Sequence, residues 1–135
     1  MPKPTRTRAV TNAQVRSYAG KAQEYLDAAQ SEITAERYIA ATSLAIHAAI
    51  NAADAVCGAR LGVRAAGEAH DHALALLRTA GSDGAAVEKE LNRLLPLKTK
   101  AEYEPDDVAA GAATKAVERA GRCVAIARKV ATSTG

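Results

Sequence analysis

The sequence predicts an all-α fold, built as a single-domain bundle of about five helices, and three observations support this class. Long segments repeat apolar residues at intervals of three and four, which is the pattern of a helix with one buried face. No segment alternates apolar and polar residues as a half-buried strand would. Finally, 135 residues is a common length for one domain.

The first ten residues differ in composition from the rest of the chain. Residues 1–10 are predicted to be a basic flexible tail, whereas residues 11–135 are predicted to form the bundle. Lys3, Arg6 and Arg8 account for the net charge of +3, so the remainder is close to neutral. A basic arm can bind phosphate, although a solvated terminus without a partner is the simpler interpretation.

The first two predicted helices are separated by a short break after Ser31. Thr11 or Asn12 can cap the first helix, because both residue types accept hydrogen bonds from the free N–H groups of a first turn. The second helix should run from about Thr34 to about Ala59. It is apolar on nearly all sides, which indicates the central helix of the bundle.

Three further helices are predicted in the second half of the chain. The third begins near Glu68, and the turn GSDG at residues 81–84 separates it from the fourth. Pro96 is expected to kink the fourth helix or to end it, because proline lacks the N–H that continues the hydrogen-bond ladder. The last break is Glu104–Asp106, and the fifth helix should end near Ala131.

The cysteines and the central helix bear on the cellular compartment. Cys57 and Cys123 are too few for a disulfide framework and are predicted to be small buried hydrophobes in a reducing compartment. Residues 38–59 are long enough to span a bilayer, but Asp54 lies in the inner half, where a carboxylate is costly. No apolar signal segment is visible, so a cytoplasmic protein without a membrane partner is expected.

A polar stripe on the central helix is the most informative feature of the sequence. Ser43, His47, Asn51 and Asp54 recur at spacings of four, four and three, which places them on one helix face. Their neighbours are almost all apolar, so the helix surface favours burial. An unpaired buried polar group costs about 1–3 kcal/mol. The stripe should therefore contact polar side chains of another helix, or a ligand.

A second candidate group is the segment from Lys98 to Tyr103, just after Pro96. Its cation and its phenol could bind phosphate, or could pair with Asp54 and His47 of the stripe. A structural layer of hydrogen bonds is the simpler interpretation.

The histidines near residue 70 give weaker signals. His70 and His72 lie two positions apart and point in different directions on a helix, so they are poorly placed to share a metal ion. We therefore expect neither a metal nor another cofactor. Arg64 and His70, with five residues between them, form a loose pattern that often arises by chance.

Three segments of the chain resemble the HEPN superfamily of small helical-bundle proteins. They are SLAIHAAINAADAVCGARLG, AHDHALALL and LNRLLPLKTKAEYEP, in that order, and the resemblance covers nearly the whole chain beyond the tail. It implies an HEPN-like bundle over residues 11–135. Active members are metal-independent ribonucleases whose Arg-x4–6-His motif meets its copy across a homodimer interface. Other members have lost the motif and serve as RNA-binding or protein-interaction modules.

The motif is degenerate in this chain. The resemblance places Lys98 where arginine is expected and Tyr103 where histidine is expected. Cleavage through the RNA 2′-hydroxyl needs a proton acceptor near neutral pH, and tyrosine, with a pKa of about 10, is a poor base. Lysine also lacks the bidentate fork of arginine. The Arg64…His70 pattern has a suitable length but lies too early in the chain for the family motif.

Three functions are open for the chain at this point. The first is a non-catalytic, homodimeric binding or interaction module, as found in toxin–antitoxin and other conflict systems. The second is a divergent ribonuclease, and the third is the partner subunit of a small nucleotidyltransferase, with Tyr103 as a modification acceptor by analogy. RNA binding has weak support, because aromatic side chains for stacking bases are scarce. The predicted polar cleft consists of Ser43, His47, Asn51, Asp54, Lys98 and Tyr103, and the catalytic candidates are Lys98, Tyr103, His47 and His70.

Overall fold

The computed structural model describes residues 6–67 and 70–134 and confirms the helical bundle. Five helices occur in the described ranges: α1 (Asn12–Thr34), α2 (Tyr38–Leu61), α3 (His70–Leu77), α4 (Gly81–Tyr103) and α5 (Ala110–Ser133). Two short strands, β1 (Thr7–Ala9) and β2 (Val63–Ala65), pair antiparallel. This ribbon was not predicted, because three residues are too few to show an alternating pattern.

Helix α2 is the centre of the bundle, as its composition predicts. It packs against α1, α5 and α4, and alanines such as Ala45, Ala49 and Ala52 are fully buried along it. Small side chains let the neighbouring helices approach closely, which compensates for the lack of large aromatic groups. Tyr38–Leu61 is long and apolar enough to cross a membrane, and 56% of its most apolar window is buried inside the bundle.

Both ends of α1 follow from local sequence. Thr11 and Gln14 form a capping box, in which the threonine hydroxyl accepts from the Gln14 N–H and the Gln14 side chain accepts from the Thr11 N–H. Beyond the last turn, Glu36 adopts a left-handed conformation with φ 62°. Glycine is the usual residue at such a position, so glutamate here carries a backbone cost.

Helix α4 differs from its prediction at two points. Residues 81–84 form its first turn instead of a separate turn, because Gly81 takes the left-handed conformation (φ 72°) and redirects the chain directly into the helix. The helix also continues through Pro96 to Tyr103, so of the two alternatives for this proline, a kink or an end of the helix, the end is wrong. Pro96 is exposed, so solvent can satisfy the carbonyl of Asn92 that loses its N–H donor.

The ribbon changes the extent of the predicted flexible tail. Thr7 lies opposite Ala65, and the Val10 N–H donates to the Gly62 carbonyl at 2.9 Å. The tail segment from Thr7 to Ala9 is therefore a strand. Gly58 permits this crossing, because a Cβ at that position would lie 2.6 Å from a methyl group of Val10.

Ion pairs connect α4 with α2 and α5. The buried Glu90 accepts a hydrogen bond from the Nε of Arg122 of α5 at 2.8 Å and lies 3.5 Å from Arg119. Near the start of α4, Asp83 accepts from Arg60 of α2 and from Lys129 of α5. These two hydrogen bonds hold the pKa of Asp83 below its ordinary value. The position of α4 relative to α2, which determines the site below, is thus set by charged contacts as well as by apolar packing.

Both cysteines are free and buried, as predicted. Burial raises the pKa of Cys57 to about 12 and that of Cys123 to about 12. A thiol with so high a pKa carries almost no thiolate at neutral pH, so both are chemically inert core residues.

Candidate functional site

The carboxylate of Glu102 on α4 lies close to polar side chains of both α2 and α4. The Oε1 atom of Glu102 lies 3.4 Å from His47 Nε2 and 3.5 Å from the Ser43 hydroxyl, both on α2. Its other oxygen, Oε2, lies 3.3 Å from Lys98 Nζ. We call these four side chains (Ser43, His47, Lys98 and Glu102) the Glu102 cluster.

Helical spacing explains why these four residues meet. Ser43 and His47 are one turn apart on α2, and Lys98 and Glu102 are one turn apart on α4. Where the two helices pack, each pair presents its polar groups to the other. Tyr25 of α1 stacks on the His47 ring with the ring centroids 5.5 Å apart, which holds the imidazole on the side of Glu102.

His70, at the start of α3, lies within electrostatic range of the Glu102 cluster. Burial lowers its pKa below the ordinary value, and the nearby Lys98 lowers it further, while Glu102 opposes the shift. The lowered pKa favours the uncharged imidazole. His47 and His70, the two histidines among the catalytic candidates, thus both lie near Lys98 and Glu102.

The second half of the polar stripe has different partners. The Asn51 side chain donates to the His47 carbonyl at 2.8 Å, so its amide turns back onto its own helix. Asp54 interacts electrostatically with Arg64 of β2. The suggested pairing of Lys98 with Asp54 is therefore not the arrangement found, since the lysine lies on Glu102.

Arg64 and Tyr103 lie outside the Glu102 cluster. Arg64 lies over the Tyr18 ring, with 5.9 Å from the guanidinium carbon to the centroid, and donates to the Ala65 carbonyl. Tyr103 is 73% exposed at the end of α4, and Lys98 Nζ lies 5.6 Å from the centre of its ring. The phenol of Tyr103 is consequently accessible to solvent.

A cavity of about 960 Å³ adjoins the Glu102 cluster. Ser43 and Glu102 belong to both. The cavity lies beside the turn between α1 and α2, the first turn of α2, the end of α4 and the loop before α5. Its lining residues are Glu36, Arg37, Tyr38, Ile39, Ala40, Ser43, Ala101, Glu102, Asp107, Val108 and Ala110. Its volume lies in the size range of small-molecule sites.

Glu102 is the member of the Glu102 cluster that was not predicted as a site residue from the sequence. The residue stands inside the segment Lys98–Tyr103, and its spacing of four from Lys98 is a recognisable signal for an ion pair on a helix. Its contact with α2 depends on how α4 docks, which the spacing does not reveal. Among the residues that the structure describes, no three His, Cys, Asp or Glu side chains are grouped to hold a metal ion.

The chemistry of the cluster follows from its central carboxylate. Glu102 offsets the charge of Lys98 and lies 3.4 Å from His47 Nε2. A negatively charged phosphodiester would approach against this carboxylate. The cluster is therefore arranged to connect α2 with α4, and its lysine is not an unopposed cation.

Two comparisons with known proteins bear on the family of the chain. A search of curated proteins finds no sequence that matches this chain. The family model of the HEPN domain matches residues 15–133, which includes all five helices almost completely. Together with the observed bundle of helices, this match covers most of the sequence. The chain therefore belongs to the HEPN domain family.

Proposed function

We propose that this protein is a non-catalytic HEPN-type module that acts by binding a partner or ligand. The observation that carries the proposal is the position of Glu102 between His47 and Lys98. A ribonuclease of this family type needs a cation to offset phosphate charge and a group that exchanges protons near neutral pH. In this chain the lysine is already paired, and the tyrosine at the expected histidine position is a poor base.

RNA cleavage by the purified protein tests this proposal. Without added metal, we expect no cleavage above background from the wild type or from Lys98→Ala, Tyr103→Phe, His47→Ala and His70→Ala. Circular dichroism should show that each preparation is helical, and a known ribonuclease serves as the positive control. Cleavage by the wild type that is lost in either histidine variant would contradict the proposal.

A divergent metal-independent ribonuclease is the second candidate, and one observation favours it. His47 and His70 come from different helices and both lie near Lys98 and Glu102. One imidazole could accept a proton and the other donate one, while the lysine steadies the phosphate. Cleavage that depends on both histidines, together with a bell-shaped pH profile, would establish this activity.

We also propose that the module is a homodimer, which the family resemblance suggests. The chain mass is 14.0 kDa, so light scattering on the purified protein should give twice this value. Ile39 and Tyr103 are exposed large hydrophobic residues near the cavity, at 41% and 73% exposure. A monomeric mass at about 100 μM would contradict a stable dimer, because only a dissociation constant above that concentration leaves mostly monomer.

The family setting suggests a role in a toxin–antitoxin or other conflict system in the cytoplasm. A nucleotidyltransferase partner that modifies Tyr103 is one such arrangement, and the exposure of that phenol is compatible with it. A nucleotidyltransferase gene beside the one for this chain would support the arrangement. Mass spectrometry after co-expression, with Tyr103→Phe as the control, would identify the modified residue.

A further inference from the structure

The cavity beside the Glu102 cluster is lined by both apolar and charged residues. Its apolar lining residues include Ile39, Ala40, Ala101 and Val108, and Tyr38 adds an aromatic ring. Small-molecule sites combine an apolar lining with a few polar groups that orient the ligand. The charges around this cavity therefore indicate which ligand it would accept.

Two exposed carboxylates at the cavity lack a counter-ion among the described residues. Glu36, in the turn before α2, and Asp107, in the loop before α5, form no ion pair with any residue in the described ranges. Of the described residues that line the cavity, only Arg37 is basic, and its Nε donates to Glu32 at 2.7 Å. Glu102 is likewise paired with Lys98. The charges of Glu36 and Asp107 are the ones that remain.

The first turns of α2 and α5 also face this cavity and attract negative charge. Neither helix has a side-chain cap from the described residues, and the N-terminus of a helix carries roughly half a positive charge. Two helix ends thus supply about one positive charge against the two full negative charges of Glu36 and Asp107. The balance at the cavity is negative, which disfavours phosphate and favours a cation.

We infer that this cavity binds a small organic cation with an apolar body, such as an aromatic or alkyl amine. The carboxylates of Glu36 and Asp107 would attract the ammonium group, and the apolar body would contact Ile39, Ala101 and Val108. Tyr38 can add a cation–π contact. This inference builds on the proposed binding role and names the class of ligand. The RNA cleavage assay is separate, so a failure here leaves the non-catalytic proposal untouched.

Glu36 offers a variant that separates binding from folding. Because its φ of 62° suits glycine better than glutamate, Glu36→Gly removes one carboxylate while relieving a backbone cost. Its melting temperature should be unchanged or higher. Weaker binding by this variant would consequently reflect the lost charge and not a damaged fold.

Titration with three matched probes tests the inference. Phenethylamine, 2-phenylethanol and phenylacetate share an aromatic body and differ in charge, and amide chemical shifts of Ser43, Ala101 and Val108 report occupancy. We expect saturable shifts with phenethylamine at about millimolar concentration, as for a fragment of about nine heavy atoms. The alcohol and the carboxylate should bind at least about fivefold more weakly, the factor for about 1 kcal/mol.

Variants that remove one carboxylate each test whether that charge contributes to phenethylamine binding. Glu36→Gly and Asp107→Asn should each weaken phenethylamine binding by roughly three- to fivefold, the range of an exposed charge pair. Glu24→Gln, which neutralises an exposed carboxylate of α1 away from the cavity lining, should leave it unchanged.

Three results would overturn the inference. They are equal binding of the three probes, shifts that map to another part of the bundle, and no shifts up to about 20 mM amine, well above the expected constant. In the last case, a dimer that Ile39→Ser converts to monomer would identify a second copy of the chain as the occupant.

Discussion

Replacing Asp54 by asparagine is expected to raise the free energy of unfolding at pH 7.5 by up to about 3 kcal/mol. Burial raises the pKa of Asp54 from 3.8 to about 6, and Arg64 opposes this shift only in part. The ionised carboxylate is therefore less stable in the folded chain than in the unfolded one. Asparagine keeps the shape and polarity of the side chain without the charge.

The direction of the pH dependence follows from the same pKa. Between about pH 4 and pH 6 the folded state holds a proton on Asp54 that the unfolded state has lost. The contribution of this residue to stability is complete below pH 3.8 and is lost as the pH rises through about 6. Asp54→Asn should abolish this part of the pH dependence of the unfolding free energy.

Urea unfolding between pH 4 and pH 8 would measure both effects. Asp106→Asn is the matched control, because Asp106 is exposed in the loop before α5 and its replacement should change the unfolding energy by no more than about 0.5 kcal/mol. If Asp54→Asn were less stable than the wild type at pH 7.5, the attraction to Arg64 would outweigh desolvation, and the stated sign would be wrong.

Gly84→Ala should destabilise the bundle by about 3 kcal/mol or more, at the upper end of overpacking effects. A Cβ on Gly84 would lie 2.6 Å from the Ala80 Cβ and would overlap the Leu77 carbonyl oxygen. That oxygen belongs to the backbone at the end of α3, so it cannot move by a rotamer change. The junction between α3 and α4 would have to open, and Leu77, which is fully buried, would lose packing.

Gly20→Ala is the matched control for this prediction. Gly20 lies within α1, and a Cβ added there would have no neighbour within 4 Å, so alanine meets no obstacle. It should stabilise the protein by about 0.5–1 kcal/mol, because alanine restricts the unfolded chain and favours helix. Thermal unfolding would compare the two variants. Effects of the same sign would refute the role assigned to the close approach at Gly84.

Local rules account for most of the helical elements. The start of α1 at Asn12 follows from the capping pair Thr11 and Gln14, and the end of α4 follows from the break at residues 104–106. The central place of α2 follows from its nearly uniform apolar surface. These features depend on neighbours within a few positions, so the order of residues contains the necessary information.

The sequence predictions that failed concern segments whose structure depends on contacts with distant residues. Residues 81–84 have the composition of a turn, yet packing against Leu77 and the ion pairs of Asp83 draw them into α4. The pairing of β1 with β2 joins residues more than fifty positions apart. Neither contact leaves a periodic pattern in the sequence.

By itself, the sequence determined the helical class, the central helix, the buried cysteines and the family resemblance, because these depend on composition and short-range spacing. Only the tertiary structure decided the partners of the polar stripe. Glu102 meets Ser43 and His47, while Asp54 lies near Arg64. The spacing of four shows which side chains share a face, but the partner across that face depends on the docking of two helices. That docking is a balance of many weak contacts spread over the whole bundle.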